Sequence, residues 1–271
     1  GSDTEVLLAG WAQWGDALLP RLVGMFAFAI WNEATRETVL VRDRFGKKPL
    51  FYAHARQRLD FASDFLALEY AAGKRFALNR QALGWLFALR WLPDHICIGA
   101  GAAKLAPGHL LRFTPNGIAI ERWYDLAAKR NRQLADPAQA RSAIVAAFDA
   151  AVRDRLVADV PIGAFLSSGI DSALVAASMA RSGARVRSFT VGFEDAEFFD
   201  EREGARVVAE HLHTEHTEMT IATGEATGLI DDVMHGLDEP FADASAVPSF
   251  ARSPIPSVAS SMTRWATFGT S

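Results

Sequence analysis

Residues 161–177 read PIGAFLSSGIDSALVAA, and this stretch decides the fold of the second half of the chain. An apolar run ends at Leu166. Three small residues, Ser167-Ser168-Gly169, follow it, and a helical pattern begins near Asp171-Ser172. The reading is strand, tight loop, helix. Small side chains let backbone N–H groups close on an anion, and a helix N-terminus adds partial positive charge. Such a loop at the carboxyl end of a parallel strand suits phosphate or pyrophosphate. The same turn also occurs with no ligand. Asp171 would repel a phosphate unless it held Mg²⁺, which bridges phosphate oxygens; its plainer role is a helix N-cap. The loop is neither GxxxxGKS/T nor GxGxxG, so the P-loop kinase and dinucleotide readings lack their motifs.

Working outward, strands and helices alternate. Upstream, Asp136-Pro137 pairs an N-cap with proline at the first helical position. Ile144, Phe148, Val152 and Leu156 then recur at four-residue spacing as an apolar stripe. Downstream come a helix over 172–181 stopped by Gly183, a strand over 186–192, a helix near 201–211 and a strand near 217–221. This order predicts a parallel sheet of βα units. The polar stretch 127–132 lacks apolar periodicity and marks the boundary. The last residues, 251–271, are rich in Ser, Thr and Pro and carry no period, which reads as a disordered or out-of-frame tail.

The first half reads differently, as short strands joined by turns. Runs at 25–31 and 38–42, then 50–53 and 59–62, then 110–113 and 118–120 form three expected hairpins, the last around the Asn116-Gly117 turn signal. Helices are expected over 4–14, with Asp3 as N-cap, and over 79–89.

Composition bounds the rest. The chain has 271 residues, 22% charged, with net charge −4 and a single cysteine. That length suggests about two domains. The slightly acidic balance gives no electrostatic reason to expect nucleic acid or a membrane surface. The longest apolar run, residues 22–31, is about half a bilayer crossing. Cys97 alone can form neither an intramolecular disulfide nor a thiol metal cluster. With no cationic-apolar leader, the reading is a cytoplasmic protein. His211, His213 and His216 have no common zinc spacing.

The loop 167–172 resembles the SGGxDS pyrophosphate loop of ATP-pyrophosphatases. Its surroundings resemble the glutamine-hydrolysing asparagine synthetase family: Asp159-Val160-Pro161-Ile162-Gly163, the run 188–193 (SFTVGF), Asp200-Glu201 with Ala209-Glu210-His211-Leu212, and the run 238–243 (DEPFAD). The first half is similar to class II glutamine amidotransferase domains in the runs 2–6 (SDTEV), 24–31 (GMFAFAIW), 42–50 (RDRFGKKPL), 61–63 (FAS) and 104–108 (KLAPG). The resemblance implies an α+β glutaminase remnant of Ntn type over 1–130. A doubly wound α/β parallel sheet of ATP-pyrophosphatase type follows over 131–250, with 251–271 unmatched.

The resemblance also implies a reaction. An aspartate carboxylate attacks the α-phosphate of ATP, and ammonia released from glutamine displaces AMP from the acyl-adenylate. Ser167, Ser168, Gly169, Asp171 and Ser172 would hold the pyrophosphate, with Asp171 on Mg²⁺. Phe165, Leu166 and Val191 would surround the adenosine, and Asp3 would receive the glutamine α-amino group. The implied partners are ATP, glutamine and aspartate or another carboxylate, with no nucleic acid or membrane and a homodimer as the open assembly. Alternatives are an amidotransferase for a sugar, peptide or antibiotic precursor, and a non-catalytic nucleotide-binding relic. Three departures stand out. Ser168 replaces a glycine, which hinders the loop if that position needs φ > 0. Neither the N-terminal cysteine nor the SGxGxDE loop has a counterpart. The expectation is therefore a chain truncated at both ends, with no catalytic residue of its own and inactive alone. Asp238 and Glu239, an acidic pair before proline, read as a solvated helix end.

Overall fold

The structure, a computed structural model, describes residues 2–129, 136–183, 185–194, 200–222, 224, 228–237, 239–240 and 242. Within it the chain forms two compact units, residues 2–129 with 234–242 and residues 136–233. Asp238, Asp243 and the tail over 251–271 lie outside the described residues.

The first unit is built on two antiparallel sheets. One has the order β1-β2-β6-β7, from β1 (Ala27–Asn32), β2 (Glu37–Arg42), β6 (His109–Thr114) and β7 (Gly117–Arg122). The other is β4-β3-β5, from β3 (Phe51–Ala55), β4 (Arg58–Ala62) and β5 (Ala103–Lys104). Period-two alternation sorts the side chains into layers. Leu40 and Leu111 meet Leu50, Leu105, Tyr52 and Leu59, so the two sheets pack face to face. On the far side of the first sheet, Val39, Val41 and Leu110 pack with Leu19 and with Trp11 of α1 (Asp3–Trp14). On the far side of the second, Phe51 and Ala53 pack with Phe65 and Leu68 of α2 (Phe65–Ala72) and Ala82 of α3 (Arg80–Leu89). The result is four layers, helix-sheet-sheet-helix. All three expected hairpins form. In the last, Thr114 pairs with Gly117, so Pro115 and Asn116 occupy the loop and Gly117 opens β7 at φ +120°.

Two local readings change. α1 is capped by Ser2, whose hydroxyl takes the N–H of Glu5, and Asp3 is the first helical residue. A hydroxyl one residue earlier satisfies the orphan donor first. Helix α2 is not among the expected elements, because LALEYAA is apolar nearly all round and carries no single-face period. Its ends are legible: Asp64 accepts the Ala67 N–H, and Gly73 closes it in the left-handed conformation.

The second unit is a parallel three-stranded sheet, order β10-β9-β8, from β8 (Gly163–Phe165), β9 (Arg187–Phe193) and β10 (Glu215–Ile221). Its helices are α4 (Pro137–Arg153), α5 (Ile170–Arg181) and α6 (Arg202–Leu212), and the short α7 (Ile230–Gly236) spans the point where the chain passes from this unit to the first. Small residues let α5 and α6 approach closely, as Leu166, Ala176, Ala205 and Ala209 form one buried cluster. The apolar stripe on α4 is only partly realised. The helix stops at Arg153, short of Leu156, and Ile144 is exposed. Asp149 instead ties α4 to α5, accepting from the Arg181 guanidinium and from Ser178 Oγ, which together hold its carboxyl below the usual range. Among the described residues no helix is long and apolar enough to cross a membrane.

Candidate active site

The loop after β8 is braced by its own serines. Leu166 N–H donates to Phe189 O at 2.8 Å, which ends the ladder and releases the chain into the turn. Ser172 Oγ accepts the Ser167 N–H at 3.1 Å and lies 2.8 Å from Ser167 Oγ. Ser167 Oγ in turn accepts the Gly169 N–H at 3.1 Å. Gly169 is the N-cap of α5 and offers no side chain, so the N–H groups of Ile170, Asp171 and Ser172 have no partner among the described residues. Free helix N–H donors beside small side chains are what an anion needs.

The helix begins at Ile170, earlier than the sequence pattern implies, so Asp171 sits within the first turn and is not the N-cap. Its exposed carboxylate forms no ion pair among the described residues. An unpaired carboxylate next to an anion cradle fits a hard divalent cation. Ser168 is absent from the residues with left-handed backbone, so the serine causes no backbone strain at that position.

The three residues expected around adenosine are placed differently from one another. Phe165 is half exposed and lines a cavity of about 570 Å³, whose walls also include Asp171, Ser172, Phe148, Val152 and Met179. Leu166 turns into the buried α5–α6 cluster. Val191 is half-buried in β9, paired with Met219 of β10.

A second cluster forms at the start of α6. Arg202, the first residue of α6, clasps Asp200 through Nε and Nη2 at 2.7–3.0 Å and reaches Thr220 Oγ1 at 2.5 Å. The guanidinium, helped by the Arg202 N–H, holds the Asp200 carboxyl down at about 2. Gly192 leaves the room, since a Cβ there would collide with Arg202 Nε. In the sequence Asp200 stands out only as part of a motif, and an acid two residues before an arginine is too common a pair to single out.

Elsewhere the structure separates chemistry from architecture. In the run 42–50, Arg42 spends its donors on the carbonyls of Gly46, Lys48, Asp94 and Leu105. Asp43 accepts the N–H groups of Phe26, Phe45, Lys47 and Lys48. Both are buried, and both organise a loop. Gly46 is required there at φ +63°, where a Cβ would also meet Pro107 at 2.8 Å. Asp3 is exposed. Glu239 is no solvated helix end: it accepts the Ile98 N–H and pairs with Lys104 Nζ, both at 2.7 Å. Cys97 is buried beside it, and burial pushes its thiol up to about 12, outside nucleophilic range. Among the described residues no group of three His, Cys, Asp or Glu could hold a metal. His216 bonds Ser188 Oγ through Nδ1 at 2.8 Å, a structural contact.

Two family models match the chain in sequence, a glutamine amidotransferase domain over residues 1–124 and asparagine synthase over residues 143–253. The chain belongs to the asparagine synthetase family. Glutamine-hydrolyzing asparagine synthetase 1 of Bacillus subtilis is 30% identical over 249 residues, covering 92% of this chain and 39% of that protein. A protein of Mycobacterium tuberculosis provisionally given the same name is 35% identical over 254 residues, with the same shares covered. The asparagine synthetase of Cricetulus griseus is 28% identical, covering 87% of this chain and 42% of that protein. The chain thus spans about two fifths of the length of these relatives. In family terms, the braced serine loop falls within the asparagine synthase match, and the two sheets and three helices of the four layers fall within the amidotransferase match.

Proposed function

We propose that this chain serves an ATP-dependent amidotransferase of asparagine synthetase type. Residues 1–130 correspond to an Ntn-type glutaminase domain and residues 131–250 to a doubly wound ATP-pyrophosphatase domain. In this reading a carboxylate oxygen of aspartate attacks the α-phosphorus of ATP and pyrophosphate leaves. Ammonia from glutamine then attacks the acyl carbon and AMP leaves. The observation that carries the reading is the loop 167–172, with its free N–H groups on Ile170, Asp171 and Ser172, its braced hydroxyls and its unpaired carboxylate.

Each residue then has a task. The first-turn N–H groups of α5 face the pyrophosphate oxygens, and Ser168 and Gly169 keep that approach open. Ser167 and Ser172 fix the loop. Asp171 would hold Mg²⁺, which when bound neutralises phosphate charge and favours the leaving pyrophosphate. Phe165 offers an apolar surface next to the loop for the base, with Leu166 and Val191 supporting the strands beneath. Asp3, exposed at the start of α1, is the carboxylate for the glutamine α-amino group. Aspartate is the acceptor favoured by the relatives' names. A relative from Gibberella zeae named amidase chry2 is 28% identical over 229 residues, so other carboxylates belong in the acceptor screen.

Calorimetry with ATP tests the reading. Wild type should bind ATP more tightly with Mg²⁺ than without, and Asp171→Asn should abolish that difference. Equal Mg²⁺ dependence in both proteins would overturn the site.

A further inference from the structure

The loop 167–172 has a neighbour that no motif reveals. Gly204 is the third residue of α6, in its first turn, where glycine supports the helix less well than alanine. A Cβ on Gly204 would stand 2.7 Å from Ser168 Cβ and 3.4 Å from Ser168 Cα. Ser168 Cβ is fixed to the loop backbone and cannot swing aside, so a methyl group at 204 would push the loop itself. Remove the Ser168 side chain and the nearest remaining atom is the Cα at 3.4 Å, a tight contact that a few tenths of an ångström relieves. The bare surface of α6 therefore answers the side chain of the serine.

We infer that Ser168 and Gly204 are a matched pair that sets the position of the anion loop. Gly204 is a positioning residue for the nucleotide site, acting through Ser168. This rests on the proposed ATP site and deepens it. It also accounts for a departure in the sequence: the family loop has glycine where Ser168 stands, and the extra side chain is accommodated by the absence of one across the gap. A loop pushed by a Gly204 methyl misaims the N–H groups of Ile170–Ser172, whose anion contacts depend on direction.

The test is a double-mutant cycle read two ways. In the wild-type background Gly204→Ala should lower the melting temperature, measured without nucleotide, and weaken Mg·ATP binding about tenfold. In the Ser168→Gly background the same substitution should raise the melting temperature, because alanine is the better helix former once the clash is gone. There it should leave ATP affinity within about twofold of Ser168→Gly alone. Equal effects of Gly204→Ala in both backgrounds would overturn the pairing. A wild-type protein that binds no Mg·ATP would overturn the nucleotide reading, a different failure, since the melting cycle needs no ligand.

Discussion

Glu239 and Lys104 lie 135 residues apart in the chain and meet at 2.7 Å, their side chains 11% and 10% exposed. The second carboxylate oxygen of Glu239 takes the Ile98 N–H, and two residues past Pro240 the Ala242 N–H donates to Arg90 O. The chain thus closes the first unit with a late segment. Removing one partner of a buried pair leaves the other charge desolvated, a loss of about 3 kcal/mol. Glu239→Ala and Lys104→Ala should each destabilise the first unit by that order in urea unfolding. Lys104→Met with Glu239→Leu should cost less than either. Single-mutant losses below about 0.5 kcal/mol would mean that the pair behaves as a solvated one.

Asp43 predicts an unusually sensitive isostere. Each of its carboxylate oxygens accepts two backbone N–H groups, and the residue is 1% exposed. The substitution Asp43→Asn would turn an NH₂ toward two donors that then have no acceptor. Leaving buried donors unpaired costs roughly 1–3 kcal/mol apiece. Asp43→Asn should therefore destabilise by about 2–6 kcal/mol, by the same unpaired-donor reasoning, and broaden the amide signals of Phe45, Lys47 and Lys48. An Asp43→Asn variant as stable as wild type would show that the four bonds contribute little.

Much of this fold is legible in the sequence. The hairpins are readable because Val39, Leu40 and Val41 pack on two faces, which gives a short, continuous apolar run rich in β-branched residues, and turn residues separate such runs. The βα order is readable from Asp136-Pro137, Gly183 and the apolar runs between them. Helix α2 is hidden because both its faces carry apolar residues, with Leu68 buried and Tyr70 exposed. The site is half legible. Ser167–Ser172 stands out as a local loop, but Gly204 can be found only once α6 is laid beside it. Contacts between elements leave no local pattern when the signal is a missing side chain.

Cys97 gives a prediction about reactivity. Burial and the nearby Glu239 carboxylate hold its thiol up at about 12, so at neutral pH almost no thiolate forms. Native protein should resist iodoacetamide over hours at pH 8, and react fully in guanidinium chloride. Glu239→Gln removes one cause of the raised value, and should speed labelling modestly. Rapid labelling of the native wild type would mean that the Cys97 region opens readily.

Asp200 carries a prediction about acid. Its carboxyl sits at about 2 in the folded protein against an ordinary 3.8, first because Arg202 bonds it through the side chain and then through the Arg202 N–H. A group depressed on folding stabilises the fold in full above its unfolded value. As pH falls from about 4 toward 2, the unfolded chain takes the proton first, and that contribution disappears. Carboxyl-carbon NMR should therefore place the Asp200 midpoint near 2. Arg202→Gln removes the first cause, moves the midpoint back toward 3.8 and flattens the acid limb of stability over that window. It also frees Thr220 Oγ1 from its bond at 2.5 Å and unclasps the turn that leads into α6. Since α6 carries Gly204 against Ser168, the same variant should weaken Mg·ATP binding although residue 202 touches none of the loop's donors. A midpoint near 3.8 in wild type would mean that the clasp is not formed in solution, and the link from this turn to the anion loop would fall with it.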